Sequence, residues 1–149
     1  MFQCTGIDHV ALMTNDMEAT VQFYCGILGM KLTRTLRTPR HTRHYFIDCG
    51  GGNSFAFFEG ADLPSASMPQ HLNHLSLVVG TMEEFDAAYQ RLQEHGVEVT
   101  DIIARGYGKT FYFNDPNGIR LQIEVQTRVW EGDVRGDPDP VPSVSTYLP

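Results

Sequence analysis

Two histidines, His9 and His74, occupy equivalent places in two similar stretches of the sequence. The stretch GIDHVALMTND (6–16) aligns with HLNHLSLVVGT (71–81) at an offset of 65 residues. If a local two-fold axis relates the two halves, the two imidazoles converge on one point. Two imidazoles and a carboxylate make a facial arrangement that suits Fe(II), Mn(II), Zn(II) or Ni(II) and leaves coordination positions for a substrate.

Candidates for the third ligand lie in the run IRLQIEV (119–125), the last strand-like segment of the second half. Strand alternation places Arg120, Gln122 and Glu124 on one face. The other face, directed to the helices, carries Ile119, Leu121, Ile123 and Val125. We therefore expect Gln122 or Glu124 to complete the metal site. At the same offset of 65 residues, Glu59 falls on Glu124 and is a further candidate.

Each histidine stretch is a predicted strand, because apolar and β-branched residues run through both. A helix start follows each strand. Thr81 and Glu84 form a capping box, and Asn15 and Glu18 resemble one. Apolar residues then recur at helical spacing until a glycine predicts the end of each helix, at Gly29 and Gly96.

Three further strands are predicted in each half, so that each half has the order β-α-β-β-β. They lie at 30–37, 44–49 and 54–59, and at 97–103, 109–114 and 119–125. Half a chain of this length does not bury enough surface alone, so we expect the halves to share one sheet system. We predict an α+β fold in which two tandem βαβββ modules form a cupped mixed β-sheet with the helices on the outside.

The predicted domain covers 1–130, with module one at 5–60 and module two at 70–126. Residues 131–149 are rich in proline and glycine and lack a periodic apolar face, so we expect an extended tail there.

The composition excludes several classes of function. The 149 residues carry a net charge of −7, which is opposite in sign to a nucleic-acid-binding surface. Neither a membrane span nor a signal peptide is evident. Three cysteines are an odd, unpatterned set that argues against a disulfide framework. We expect a cytoplasmic protein whose partner is a small molecule, with no nucleic acid and no membrane.

Paired βαβββ modules, an early histidine in each and a DPNG turn (115–118) resemble the vicinal oxygen chelate superfamily. Its members include glyoxalase I, extradiol dioxygenases, fosfomycin-resistance enzymes, methylmalonyl-CoA epimerases and metal-free bleomycin-binding proteins. The resemblance covers about residues 5–126, and FYCGILGMKL (23–32) and FYFNDPNGIRLQIE (111–124) carry it most specifically. It implies a cupped sheet, a divalent metal that takes two adjacent oxygens of a substrate, and a homodimer.

The resemblance places the two metal-binding histidines of the family on His9 and His74. The carboxylate ligand of the family falls on Gln122, and here the sequence departs from the pattern. A glutamine binds metal through its amide oxygen, but it is neutral and holds a dication less strongly. Glu124 is displaced by about 6.6 Å along the strand. Three outcomes stay open: Gln122 ligates, Glu124 ligates after a shift, or the metal is absent. Glu59 is a candidate for a fourth, glyoxalase-like ligand.

Among the activities of the family, extradiol-type chemistry on a small aromatic or enediol substrate is favoured, with Fe(II) as the metal and Mn, Ni or Zn as alternatives. The active-site tyrosine of the extradiol family falls on Tyr112. Phe55 and Phe57 are expected to line the cup against an aromatic ring, and His44 to approach it from the first half. The segment 105–109 lacks the catalytic histidine of the extradiol family.

Two other functions stay open. A glyoxalase I-like lyase or isomerase is one, although Met13 stands where that family commonly has an arginine. The other is a metal-free binding protein for a planar small molecule, which the replacement of the carboxylate by Gln122 favours.

Overall fold

A computed structural model of the chain describes residues 6–38, 42–60, 72–105 and 108–127. The predicted tail at 131–149 lies outside the described residues. The first module consists of β1 (His9–Thr14), α1 (Met17–Val21) continued by a π-helical segment (Gln22–Ile27), β2 (Lys31–Arg37), β3 (Arg43–Gly50) and β4 (Asn53–Glu59). The second consists of β5 (Leu75–Val79), α2 (Met82–Glu94), β6 (Ile103–Arg105), β7 (Gly108–Asn114) and β8 (Arg120–Gln126).

The strands form two four-stranded mixed sheets, one in each module. Their orders are β1-β4-β3-β2 and β5-β8-β7-β6. In each sheet the first strand pairs in parallel with the last strand of its module, and the remaining pairs are antiparallel. The predicted α+β fold of two tandem βαβββ modules is confirmed, and its described strands form one sheet in each module instead of a single shared sheet. β1 and β5, the strands next to the two histidine stretches, are edge strands of their sheets within the described residues.

The two helix starts differ from each other. The predicted capping box is confirmed in α2, where the Thr81 hydroxyl accepts from the Glu84 amide at 3.1 Å and Glu84 accepts from the Thr81 amide at 3.1 Å. In the first module the cap is Asp16 rather than Asn15. Asp16 has extended backbone angles, and its carboxylate accepts from the Ala19 amide at 2.9 Å. The cap therefore lies one residue further along the chain than predicted.

The predicted strand at 97–103 is largely wrong. Only an isolated bridge between Val99 and Phe113 precedes β6, which begins at Ile103. The Tyr112 amide donates to the Thr100 hydroxyl at 3.0 Å, while the Thr100 amide donates to the Tyr112 carbonyl. A side-chain oxygen thus replaces a backbone acceptor, and the regular ladder is interrupted at this point.

Asp115, the first residue of the DPNG turn, joins the two modules. Its carboxylate accepts from the backbone amides of Asn117 at 2.9 Å and Ile119 at 2.7 Å, which holds the turn. It also accepts from the Tyr24 hydroxyl of the first module at 3.0 Å. Burial raises the pKa of Asp115, although hydrogen bonds to the carboxylate oppose this effect. Burial also raises the pKa of Tyr24 well above its usual value, so the phenol stays a donor.

We expect Tyr24→Phe to lower the free energy of unfolding by about 1–3 kcal/mol, because a buried acceptor loses its partner. Urea unfolding at pH 7 measures this change. Tyr89→Phe is the matched control, since its hydroxyl makes an exposed bond of 3.4 Å to Thr100. Equal losses in the two variants would show that Tyr24 does not join the modules through this bond.

Candidate functional site

The side of each sheet opposite the helices is here called the open face. In β1, Leu12 and Thr14 are buried, whereas His9 is exposed. His9 therefore lies on the open face of the first sheet. Strand β8 shows the alternation that the sequence predicts. Its apolar residues Leu121, Ile123 and Val125 are buried in the core.

The side chains that precede the two histidines hold them in the same manner. His9 Nδ1 lies 2.6 Å from a carboxylate oxygen of Asp8, and His74 Nδ1 lies 2.6 Å from the amide oxygen of Asn73. Because both partners are acceptors, each Nδ1 donates a hydrogen, and in the neutral imidazole Nε2 then has the free lone pair. Metal-binding histidines almost always donate their other ring N–H to an acceptor in this manner.

The two imidazoles have separate neighbours. The His9 ring packs edge-on against Phe46, with centroids 5.7 Å apart. The His74 ring packs edge-on against Tyr112, with centroids 5.4 Å apart. Within the described ranges, no three His, Cys, Asp or Glu side chains form a cluster that could hold a metal ion.

One cavity connects the strands that carry the histidines. Its volume is about 660 Å³, and its lining residues come from both modules. They include Asp8 and Val10, which flank His9, and Leu75 and Ser76, which follow His74. The beginnings of β1 and β5 therefore border the same space, although the two histidine side chains do not line it.

Gln122 is buried, and its amide nitrogen makes two hydrogen bonds. It donates to the Thr110 hydroxyl at 2.6 Å and to a Glu124 carboxylate oxygen at 3.1 Å. The other Glu124 oxygen accepts from Gln126 at 3.1 Å. These bonds orient the Gln122 side chain through its nitrogen, and each carboxylate oxygen of Glu124 accepts one hydrogen bond.

The predicted equivalence of Glu59 and Glu124 is wrong. Glu59 pairs with the buried Thr14, whereas Glu124 pairs with the exposed Val78. A slip of one residue turns a strand side chain to the opposite face. The Glu59 carboxylate instead accepts from Arg43 Nε at 2.7 Å and from the Met17 amide at 3.3 Å.

Phe55 and Phe57 lie on the helix side and not on the open face, and of the two Phe55 lines the cavity described above. Both are buried, and their ring centroids lie 5.5 and 5.0 Å from that of Tyr24. In the run SFAFFE (54–59), aromatic residues occupy both odd-numbered and even-numbered positions. Strand alternation alone therefore did not show which of them lie on the open face. Phe46 and Phe58 supply the aromatic rings of the open face.

His44 lies on that face. Its ring stacks on Phe58 at 3.6 Å between centroids and lies 4.6 Å from Phe46. Its Nε2 atom is buried and has no hydrogen-bond partner among the described residues. Burial is the largest cause that lowers the pKa of His44, and the charges of His9 and Arg34 lower it further.

Two arginines stand over the aromatic residues that contact the histidines. The sequence places Arg120 on the face of Gln122, and for Arg34 a solvated edge is a plainer interpretation than contact with an anionic ligand. The Arg34 guanidinium lies 4.8 Å from the Phe46 ring centroid. Arg120 lies 4.4 Å from that of Tyr112, the predicted active-site tyrosine, which is itself almost buried. Each sheet thus presents a histidine, an aromatic ring and an arginine in contact on one face.

The chain belongs to the glyoxalase/bleomycin resistance protein/dioxygenase superfamily, whose family model matches residues 6–123. It is 30% identical to the uncharacterized protein YaeR of Escherichia coli K12, over 80% of this chain and 95% of that protein. It is 26% identical to metallothiol transferase FosB of Staphylococcus saprophyticus, over 81% of this chain and 77% of that protein.

Catechol-2,3-dioxygenase of Bacillus subtilis is 26% identical over 89% of this chain, which spans 46% of that protein. Among solved structures, a glyoxylase/bleomycin resistance protein/dioxygenase domain from Frankia matches with a TM-score of 0.75 and 25% identity. The match covers 88% of this chain and 96% of that one. In the described part of the chain, no helix is long and apolar enough to cross a membrane.

The Glu59–Arg43 pair predicts a pH dependence of stability. Hydrogen bonding to Arg43 lowers the pKa of Glu59 below its ordinary value of 4.5. The pair therefore stabilises the fold fully above that value, and the contribution is lost as pH falls through the lowered pKa of the folded state. We expect Glu59→Gln to be less stable than the parent at pH 7 and to approach it near about pH 3.

Urea unfolding of both proteins at the two pH values measures this difference. Glu98→Gln removes the same charge from an exposed position between α2 and β6 and serves as the control. If Glu59→Gln lowers the free energy of unfolding by the same amount at both pH values, the Glu59–Arg43 pair is not the cause of the pH dependence.

Proposed function

We propose that this protein is a metal-dependent vicinal-oxygen-chelate enzyme that acts on a small aromatic or enediol substrate by extradiol-type dioxygenase chemistry. The observation that carries the proposal is the matched support of His9 and His74. In both histidines, Nδ1 donates its hydrogen to the side chain of the preceding residue, so that Nε2 is the atom left to bind a metal. Structural histidines have no need for this arrangement in both halves of a duplicated fold.

Two imidazole nitrogens and an amide oxygen are ligand types that suit a divalent ion such as Fe(II), with Mn, Ni or Zn as alternatives. His9 and His74 would hold it by Nε2, and Gln122 would add its amide oxygen, because its nitrogen is engaged by Thr110 and Glu124. Glu124 keeps that amide oriented, and its carboxylate oxygens, which have further lone pairs, would be the alternative ligands after a shift. When bound, the ion supplies Lewis acidity and a template for two adjacent substrate oxygens.

The residues around this donor set favour an aromatic substrate. Phe46 and Phe58 provide apolar surface on the open face, and Tyr112 lies against His74 where it would orient a substrate oxygen. Similarity to catechol-2,3-dioxygenase points the same way. A glyoxalase-like activity is less supported, because Glu59 lies on the helix side in an ion pair with Arg43.

The metal assignment predicts the metal content of purified protein. After reloading with Fe(II), we expect about one ion per chain in the parent and a loss of it in a His9→Ala/His74→Ala double variant, because two of the three donors are removed. Elemental analysis measures both. His95→Ala is the matched control, since His95 is the C-cap of α2 and its side chain bonds only the Arg91 carbonyl among the described residues. Unchanged metal in the double variant would refute the site.

The third ligand is identified by a pair of substitutions. Gln122→Glu restores a carboxylate at the position that the family uses, and we expect it to tighten metal binding about tenfold, as added ligand charge does. Glu124→Gln keeps the size of the side chain and is expected to weaken binding less than Gln122→Ala. Competition with a chelator measures the affinities. If Glu124→Gln abolishes binding while Gln122→Ala does not, Glu124 is the ligand.

A second function, a metal-free binding protein for a planar small molecule, is favoured by one observation. Gln122 replaces the expected carboxylate, and Glu124 is held by Gln122 and Gln126. Thermal unfolding with catechol distinguishes the two functions. An enzyme of the proposed kind shows stabilisation that depends on reloaded metal, whereas stabilisation of the same size without metal identifies a binding protein.

We further propose that the chain forms a homodimer. β1 and β5 end their sheets, and exposed edge strands are sites of pairing unless they are covered. Exposed apolar side chains lie on or next to these two edge strands, at Ile7, Met13 and Val78. Sedimentation equilibrium tests the proposal, and a Met13→Lys/Val78→Lys variant is expected to shift the mass from two chains to one.

A further inference from the structure

The open face of the first sheet carries a continuous group of basic and aromatic side chains, here called the Phe46 cluster: His9, Arg34, His44, Phe46 and Phe58. Phe46 is its centre. His9 packs edge-on against it, His44 lies 4.6 Å away, and Arg34 stands over its ring. Phe58 extends the cluster by stacking on His44. The cluster thus joins a candidate metal-binding histidine to a basic and aromatic surface.

The charge of Arg34 is not neutralised within the described ranges. Carboxylates lie within 4 Å of His9 and Arg43 there, but none pairs with Arg34. Arg34 is exposed, and its guanidinium is held over a ring instead of extending into solvent. A planar guanidinium fixed in this manner is suited to bind a planar oxyanion through two parallel hydrogen bonds.

His44 adds a second polar group that lacks a partner. Buried polar atoms are nearly always hydrogen-bonded, and His44 Nε2 has no partner within residues 6–38, 42–60, 72–105 and 108–127, so a ligand can complete its bond. The ring itself cannot turn freely, since Phe46 and Phe58 contact it on two sides. His44 therefore offers a fixed hydrogen-bonding atom within the same cluster as the arginine.

We propose that the Phe46 cluster binds the ionised carboxylate of an aromatic substrate, with Arg34 pairing to the carboxylate and His44 Nε2 completing a hydrogen bond to it. This inference rests on the proposed function and narrows its substrate class to aromatic acids. Phe46 and Phe58 supply the apolar contact for the ring. The local positive charge also attracts an anion that the net charge of −7 would otherwise repel.

Binding of benzoate and benzamide tests the proposal, because the two probes have nearly the same shape and differ in charge. The full chain is depleted of metal with a chelator, so that benzoate has no ion to bind. Dissociation constants are then measured by NMR titration of the ¹⁵N-labelled protein. We expect benzoate to bind about fivefold tighter than benzamide, with shifts in β2 and β3, as an exposed ion pair with one added hydrogen bond allows.

Arg34→Gln is expected to reduce that preference to less than about twofold, since the ion pair is lost. Arg37→Gln removes the same charge from the same strand and is the matched control. Its partner in the ladder is Arg43, which points to Glu59 on the helix side, so the preference should be unchanged. His44→Phe keeps a ring against Phe58 without Nε2 and is expected to lower the preference as well.

Equal binding of the two probes, binding of neither, or equal effects of Arg34→Gln and Arg37→Gln would overturn the inference. The same is true of an unchanged preference in His44→Phe. Metal analysis of the reloaded samples separates this result from the proposed function. A preference for benzoate in a protein that takes up no metal supports the carboxylate site and rejects the metal-dependent enzyme.

Discussion

Two parallel strand pairs, β1 with β4 and β5 with β8, are paired in a fixed register. This register determines which side chains can face a ligand. Side chains alternate between the two faces of a strand, so the register decides which of them pack under the helices and which reach the open face. In the first module it buries Phe55 and Phe57 and turns Glu59 toward Arg43. In the second it leaves Gln122 and Glu124 on the open face. Every role discussed for these residues depends on that arrangement.

The two modules share a plan but differ in the chemistry of their open faces. In each, a histidine is supported through Nδ1 and packs edge-on against an aromatic ring with an arginine above it. The first face adds a second histidine and another aromatic ring. The second adds a hydrogen-bonded row of Thr110, Gln122 and Glu124. This division is the basis for the proposed substrate, which has a charged aromatic end and a pair of oxygen atoms.

The junction between the modules is polar as well as apolar. Tyr24 reaches the DPNG turn of the other module, and Asn117 of that turn donates back to Thr20 at 3.1 Å. Phe23 packs against Phe113 across the same junction. Such buried polar contacts fix relative position better than apolar packing alone, because a small shift leaves them unsatisfied. The DPNG turn, which is part of the family resemblance, therefore also stabilises the junction between the two modules.

The sequence by itself determined the duplicated βαβββ order, the α2 capping box, the face of β8 that carries Gln122, and the equivalence of the two histidines. These features depend on local periodicity and on side chains a few residues apart. Only the structure showed that Glu59, Phe55 and Phe57 lie on the helix side. A shift of one residue in strand pairing turns a side chain to the opposite face of the sheet, and the local sequence gives no sign of such a shift. It also decided the α1 cap at Asp16 and the interruption near Thr100, where one local hydrogen bond prevailed over another. The Phe46 cluster was equally hidden, since its members come from four strands that only the folded sheet brings side by side.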